Sequence, residues 1–189
     1  MSEKLRIVVG ISGSSGVIYG IRFLQALVRM EIETHLILSK WAVQNIKIET
    51  NEDIRTIEKI ANFVYDEKDM AASISSGSFK TGGMAVIPCS MKTLSSIANG
   101  YDDNLLSRAA SVTIKEKRKL VVVPRETPLS TIHIANMLRL SELGVTILPA
   151  MPGFYHKPKS IEDLISHIVG KTLDQFEIKN DSFKRWDTN

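Results

Sequence analysis

The chain is almost without cysteine. Cys89 stands alone among 189 residues, which excludes an intramolecular disulfide and any cysteine-rich zinc site. At the end of an apolar run, it reads as a buried structural thiol rather than a nucleophile. Long hydrophobic runs are missing too, and none reaches the ~20 residues of a membrane helix. The N-terminus, Met1-Ser2-Glu3-Lys4-Leu5-Arg6, enters a strand-like run at once. It carries neither a signal-peptide hydrophobic region nor a small-residue cleavage site, so a cytoplasmic location is expected, with no membrane partner. Charge of one sign is equally scarce. The 24 basic and 21 acidic residues leave a net +3, spread along the chain, which argues against nucleic acid as a partner and suits an anionic small molecule. Of four histidines, His156 looks the most chemical, yet no second histidine or carboxylate stands at metal-ligand spacing. No metal is expected, and His156 reads as non-catalytic. His35, His133 and His167 fall on strand or helix patterns and read as structural.

What is present is an alternation of short β-branched runs and helical spacings. The spacing predicts strands over 5–11, 34–38, 84–89, 120–123 and 145–148. Helices are predicted over 17–30, 41–49, 53–64, 92–98, 104–117, 130–143 and 161–173, and the glycine-rich stretch 73–83 reads as a loop. There is no repeat and no low-complexity tract. Strands alternating with helices indicate an α/β three-layer sandwich around a parallel sheet, one domain over residues 1–189. Ligands in such sheets bind beyond the carboxyl ends of the strands. The polar or proline-bearing loops at those ends are Ser12–Gly16, Ser39, Cys89–Thr93, Pro124–Ser130 and Pro149–Pro158.

Gly10-Ile11-Ser12-Gly13-Ser14-Ser15-Gly16 lacks the G-x-G-x-x-G fingerprint and the lysine of a P-loop. A strand, a Ser/Gly turn and a helix start remain, which can cradle a phosphate with backbone N–H groups and hydroxyls or be an ordinary capped turn. Ser90-Met91-Lys92-Thr93 repeats the pattern, and Ser90 and Ser39 could each be no more than a helix cap. In Pro124-Arg125-Glu126-Thr127-Pro128 two prolines stiffen a loop with adjacent opposite charges. The arginine suits a phosphate and the glutamate a proton, or the two form a surface ion pair. In Pro152-Gly153-Phe154-Tyr155-His156-Lys157-Pro158 the tyrosine could meet a ligand phosphate or be a packed loop aromatic.

Taken in order, these segments resemble the UbiX family of flavin prenyltransferases. To those already quoted the resemblance adds Tyr19-Gly20, Ser39-Lys40, Asn104-Leu105-Leu106 with Arg108-Ala109-Ala110, Lys115-Glu116-Lys117-Arg118, His133 and Asn136-Met137. It covers nearly the whole chain, and the Pro-Arg-Glu and Gly-Phe-Tyr-His segments are its most specific parts. It implies a flavodoxin-like (Rossmann-type) three-layer fold, bound FMN and a homo-oligomer, commonly a dodecamer. It also places the tail from about residue 175 at subunit contacts.

The implied reaction moves a dimethylallyl group from dimethylallyl monophosphate to N5 and C6 of reduced FMN. The product serves a UbiD-type decarboxylase. The resemblance implies FMN contacts at Gly13, Ser14, Ser15, Ser39, Ser90, Met91, Lys92, Thr93 and Arg125. It puts Tyr155 and Lys171 on the substrate phosphate, with Lys115 and Arg125 adding charge from neighbouring subunits. Some relatives have arginine where this chain has Lys171; lysine keeps the charge but loses the bidentate geometry. Glu126 and Ser15 are implied in proton handling. Fixed cations in place of magnesium make a metal-independent transferase sensible. Two alternatives stand beside this reading: an FMN-dependent decarboxylase of related fold, and a non-enzymatic FMN carrier. The decarboxylase reading calls for a histidine near the first phosphate loop, and none occurs between Met1 and Thr34.

Overall fold

The computed structural model describes residues 4–186, so the first three residues, and the last three of the expected tail, lie outside the described part. Six strands form one sheet: β1 (Arg6–Ile11), β2 (Glu33–Leu38), β3 (Phe63–Tyr65), β4 (Gly83–Cys89), β5 (Lys119–Pro124) and β6 (Thr146–Ile147). Every pairing is parallel and the order is β3-β2-β1-β4-β5-β6. The helices are α1 (Val17–Arg29), α2 (Lys40–Glu49), α3 (Ile54–Ile60), α4 (Met91–Ala98), α5 (Leu105–Lys115), α6 (Thr131–Glu142) and α7 (Ile161–Gln175). Without the three-residue edge strand β3, the remaining five follow the flavodoxin-like order; with it, they follow the order of doubly wound dinucleotide-binding sheets.

The strands read as unbroken apolar runs because both faces of the sheet are covered. The two-residue period divides them between two cores. Ile7, Val9, Ile11, Ala85, Ile87, Val121 and Val123 pack toward α1 and α7, with Phe23, Leu24, Leu27 and Ile168. Val8, Met84, Val86, Leu120 and Val122 face the other way, against Leu94, Leu105, Leu106 and Ala109 of α4 and α5.

One sequence expectation is corrected. The helix predicted over 53–64 ends at Ile60, and Phe63–Tyr65 is a strand paired with β2. Ala61 and Val64 matched helical spacing by coincidence. Asn62 breaks the pattern, since its Oδ1 accepts from the Thr34 N–H and its own N–H donates to Thr34 Oγ1. Those bonds draw an aromatic and β-branched triplet onto the sheet edge. Within the predicted loop 73–83, Ser73–Ser75 form a short 3₁₀ turn.

Six of the seven helices begin with a side-chain cap: Ser39, Asp53, Ser90, Asn104, Ser130 and Ser160. His133 belongs to one of these caps, because its Nδ1 accepts from the Ser130 N–H. α1 is the exception. It starts at Gly16, whose left-handed backbone (φ 93°) suits glycine, with no cap from its own side chain.

Candidate active site

The loops after β1, β4 and β5 are tied into one unit. Ser12 is fully buried. Its Oγ donates to the Pro88 carbonyl at 3.0 Å and accepts from the Ser90 N–H at 2.7 Å. Ser14 Oγ donates to the Arg125 carbonyl at 2.7 Å, and Arg125 Nε donates back to the Ser15 carbonyl at 3.2 Å. Ser14 and Arg125, both expected at FMN, therefore also lock one strand-end loop to another.

A cleft of about 500 Å³ opens beside this unit, lined by Gly13, Ser39, Lys40, Trp41, Glu67, Ser90, Lys92, Thr93 and Asn104. It lies where the chain leaves β1 for β2 on one side and β4 on the other, the switch point at which such sheets bind ligands. The caps of α2, α4 and α5 (Ser39, Ser90 and Asn104) all face it, so three helix N-termini present their positive ends to one space. Lys40 and Lys92 add charge, the latter ion-paired with Asp103 at 3.2 Å. Ser90 Oγ accepts from the Thr93 N–H and donates to Thr93 Oγ1. Gly13 has no room for a side chain: a Cβ there would overlap the Cβ of Trp41. Trp41 itself is 65% exposed. A dianionic phosphate with a planar aromatic ring fits a cleft of this kind, cationic at its helix ends and walled by one exposed indole.

The structure adds a residue that the sequence reading missed. The Glu49 carboxylate accepts from the Gly16 N–H at 2.7 Å and the Val17 N–H at 3.4 Å, serving as the cap that α1 lacks. A carboxylate thus already sits where the Ser12–Gly16 turn suggested a phosphate cradle, and the N-termini left for a phosphate are those around the cleft. Exposed Ser15 immediately precedes Gly16, whose N–H Glu49 holds. One signal was there to find: Glu49 is the last residue of α2, where the helix dipole disfavours an acid.

A second cluster gathers on α7. Tyr155 Oη lies 3.2 Å from His167 Nε2, and Lys171 follows His167 by one helical turn. His156 stacks on His167 with the rings 5.2 Å apart, and both His156 ring nitrogens are buried with no hydrogen-bond partner among the described residues. The tail turns back over α7. Phe183 meets the His167 ring, Arg185 grips Asp174 with two hydrogen bonds, and Trp186 packs edge-on to Tyr155.

Two expected residues stand apart from the cleft. Lys115 closes α5, whose opposite end carries Asn104 at the cleft. Eleven residues at 1.5 Å each put it about 16 Å away along the helix, paired with Glu116 at 2.6 Å. Glu126 is exposed, and among the described residues its carboxylate accepts only the neighbouring Thr127 N–H, at 3.2 Å. Cys89 is buried and burial pushes its thiol well above the ordinary range, so it is an inert packing residue. No described helix is long and apolar enough to cross a membrane.

Residues 1–173 match the flavoprotein family. The flavin prenyltransferase LpdB of Lactiplantibacillus plantarum is 50% identical over 183 residues, covering 96% of this chain and 98% of that one. A crystal structure of AnUbiX (PadA1) in complex with FMN and dimethylallyl pyrophosphate superposes with a TM-score of 0.96 at 49% identity, over 98% of each chain. A dodecameric FMN-dependent UbiX-like decarboxylase from Escherichia coli O157:H7 superposes with a TM-score of 0.95 at 50% identity, over 97% of this chain and 100% of that one.

Proposed function

The chain belongs to the flavoprotein family, among its UbiX-like flavin prenyltransferases, and on that premise we propose how its residues divide the work. It is an enzyme that transfers a dimethylallyl group to reduced FMN, giving the prenylated flavin that a UbiD-type decarboxylase uses. Bound FMN supplies the ring atoms, N5 and C6, that accept the group.

The flavin phosphate is held at the N-termini of α2 and α4, by Ser39, Ser90 to Thr93 and the adjacent backbone, with Gly13 keeping the approach open. Ser14 and Ser15 shape the loop beneath, and Arg125 is carried on the Ser15 carbonyl at its edge. The prenyl donor, dimethylallyl monophosphate, places its phosphate against Tyr155, Lys171, Arg125 and a Lys115 supplied by another subunit. As the C–O bond breaks, negative charge grows on the leaving phosphate. Fixed cations stabilise that charge without a metal because they are in place before the reaction. The allyl group left behind is cation-like, so the site must exclude water. Glu126, brought to the site by subunit assembly, and Ser15 are assigned the proton released at ring closure, with the Glu49 carboxylate on the Gly16 N–H a further candidate.

The single observation carrying this reading is the convergence of three capped helix N-termini on a cleft that Gly13 keeps open. A homo-oligomer, a dodecamer like the Escherichia coli relative, is part of the same proposal, as are subunit contacts for the tail. α6 supports assembly, since Ile132, Ile134 and Leu138 are 70%, 55% and 59% exposed. A cytoplasmic location is proposed with it.

The test is the mass of the flavin recovered after anaerobic incubation with reduced FMN, dimethylallyl monophosphate and a chelator, with the pyrophosphate run in parallel. A gain of one prenyl unit is expected with the monophosphate. Unchanged flavin mass with carbon dioxide released from a carboxylate substrate would give the decarboxylase reading. Unchanged mass with FMN bound and no turnover would give the carrier.

A further inference from the structure

His167 lies on α7 behind the Tyr155 loop and is 7% exposed. Two contacts locate its proton. The Gly153 N–H donates to Nδ1 at 3.4 Å, and Nε2 lies 3.2 Å from Tyr155 Oη. A neutral imidazole has one accepting nitrogen and one donating nitrogen. Acceptance at Nδ1 leaves the hydrogen on Nε2, so Nε2–H donates to Oη. The phenolic hydrogen is then free of His167 and turns to whatever lies beyond it.

The surroundings hold that arrangement. His156 stacks face to face on His167 with 3° between the ring planes, and Phe183 meets it at a steep angle with centroids 4.8 Å apart. Gly153 lets the loop fold back, because a Cβ there would stand 2.9 Å from the Tyr155 ring. Burial, then His156, then Lys171 lower the His167 pKa, so the ring is neutral near pH 7. The titratable groups facing it are Tyr155, His156 and Lys171, with Asp163 acting on His156 and Arg185 on Tyr155.

We propose that His167 is a positioning residue for the prenyl donor: by donating to Tyr155 Oη it aims the phenolic hydrogen at a phosphate oxygen, beside the charge of Lys171. This rests on Tyr155 and Lys171 being the phosphate contacts. The pH sense follows from the bonding. Above its lowered pKa the ring is neutral and Nδ1 accepts. Acidification through that pKa protonates Nδ1, which can then no longer hold the Gly153 N–H, and the tyrosine loop loses its anchor.

The test compares the full-length assembled enzyme with Y155F, H167F and the double variant, using reduced FMN and dimethylallyl monophosphate without oxygen. Phenylalanine at 167 keeps the ring packing and removes both hydrogen bonds. Each single change should lower kcat/KM about tenfold, mainly through KM, as expected for one lost hydrogen bond. The double variant should be no worse than Y155F, and FMN affinity should stay unchanged. H167Q, whose side-chain amide can donate to Oη, should recover part of the loss and lack the wild-type fall in kcat/KM on the acid side. Losses that multiply in the double variant, or H167F with wild-type kcat/KM beside an impaired Y155F, would overturn the role of His167. If Y155F itself has wild-type kcat/KM, the reading of Tyr155 fails first and the inference goes with it. Should H167F not assemble, H167Q decides alone: an acid limb unchanged from wild type overturns the proposal, and its loss supports it.

Discussion

The flavin cleft is fixed by hydrogen bonds between strand ends, whereas the Tyr155 corner is fixed by rings stacked on one helix. In the cleft, Ser12, Ser14, Ser90 and Arg125 join the ends of β1, β4 and β5. At the corner, Tyr155 reaches the body of the protein through His167, with His156, Phe183 and Trp186 around it. The first arrangement suits a cofactor that must sit in one place. The second leaves a tyrosine at the surface, 42% exposed, where a neighbouring subunit can complete the site. On the proposed function, one chain would carry the flavin cleft whole and the machinery for prenyl transfer only in part.

Changing one side of this comparison should leave the other intact. The largest effect is expected from Lys115→Ala. Lys115 lies far from its own cleft, so FMN affinity should hold while prenyl transfer slows on the order of 10²-fold through lost charge at the leaving phosphate. Stopped-flow measurement of flavin modification beside a fluorescence titration of FMN separates the two. A parallel loss of both would mean that Lys115 acts on the fold.

Gly13→Ala comes next. Its methyl group must displace the start of α2, so FMN should bind at least about tenfold more weakly, roughly 1.4 kcal/mol, in the same titration. Unchanged affinity would remove Gly13 from the cleft wall. Ser12→Ala should be the mildest for binding and turnover, since it acts on stability. It leaves the Ser90 N–H without its buried partner, costing about 1–3 kcal/mol of stability, read as a lower midpoint in thermal unfolding. An unshifted midpoint would show that the strand-end ties are not what stiffens the cleft.

The strand-end loops were legible in the sequence because their signals are local: β-branched runs stopping at serine, glycine and proline, with a cap three residues ahead of its partner. Every helix was placed to within a few residues for the same reason, except around Asn62, where a tertiary bond to Thr34 overrode helical spacing. Glu49 and His167 were missed because their partners lie 33 and 12 to 14 positions away. An acid at the end of α2 was the one local mark of Glu49, and it does not say which helix the carboxylate caps. No short-range pattern marks a histidine whose tautomer is set by a loop amide; its position on a helix pattern pointed to a structural role.

The central claim, a complete flavin cleft within each chain and a transfer site shared between chains, is tested most directly by mixing two impaired proteins at an FMN concentration too low to fill Gly13→Ala. Gly13→Ala protein has a damaged cleft but an intact Lys115; Lys115→Ala protein has the reverse. After subunit exchange, a Lys115→Ala chain should bind FMN and receive Lys115 from a Gly13→Ala neighbour, so the mixture should exceed the summed prenyl-transfer activity of its parents. A mixture no more active than its parents summed after demonstrated exchange, or full activity in an isolated wild-type monomer, would contradict the shared site.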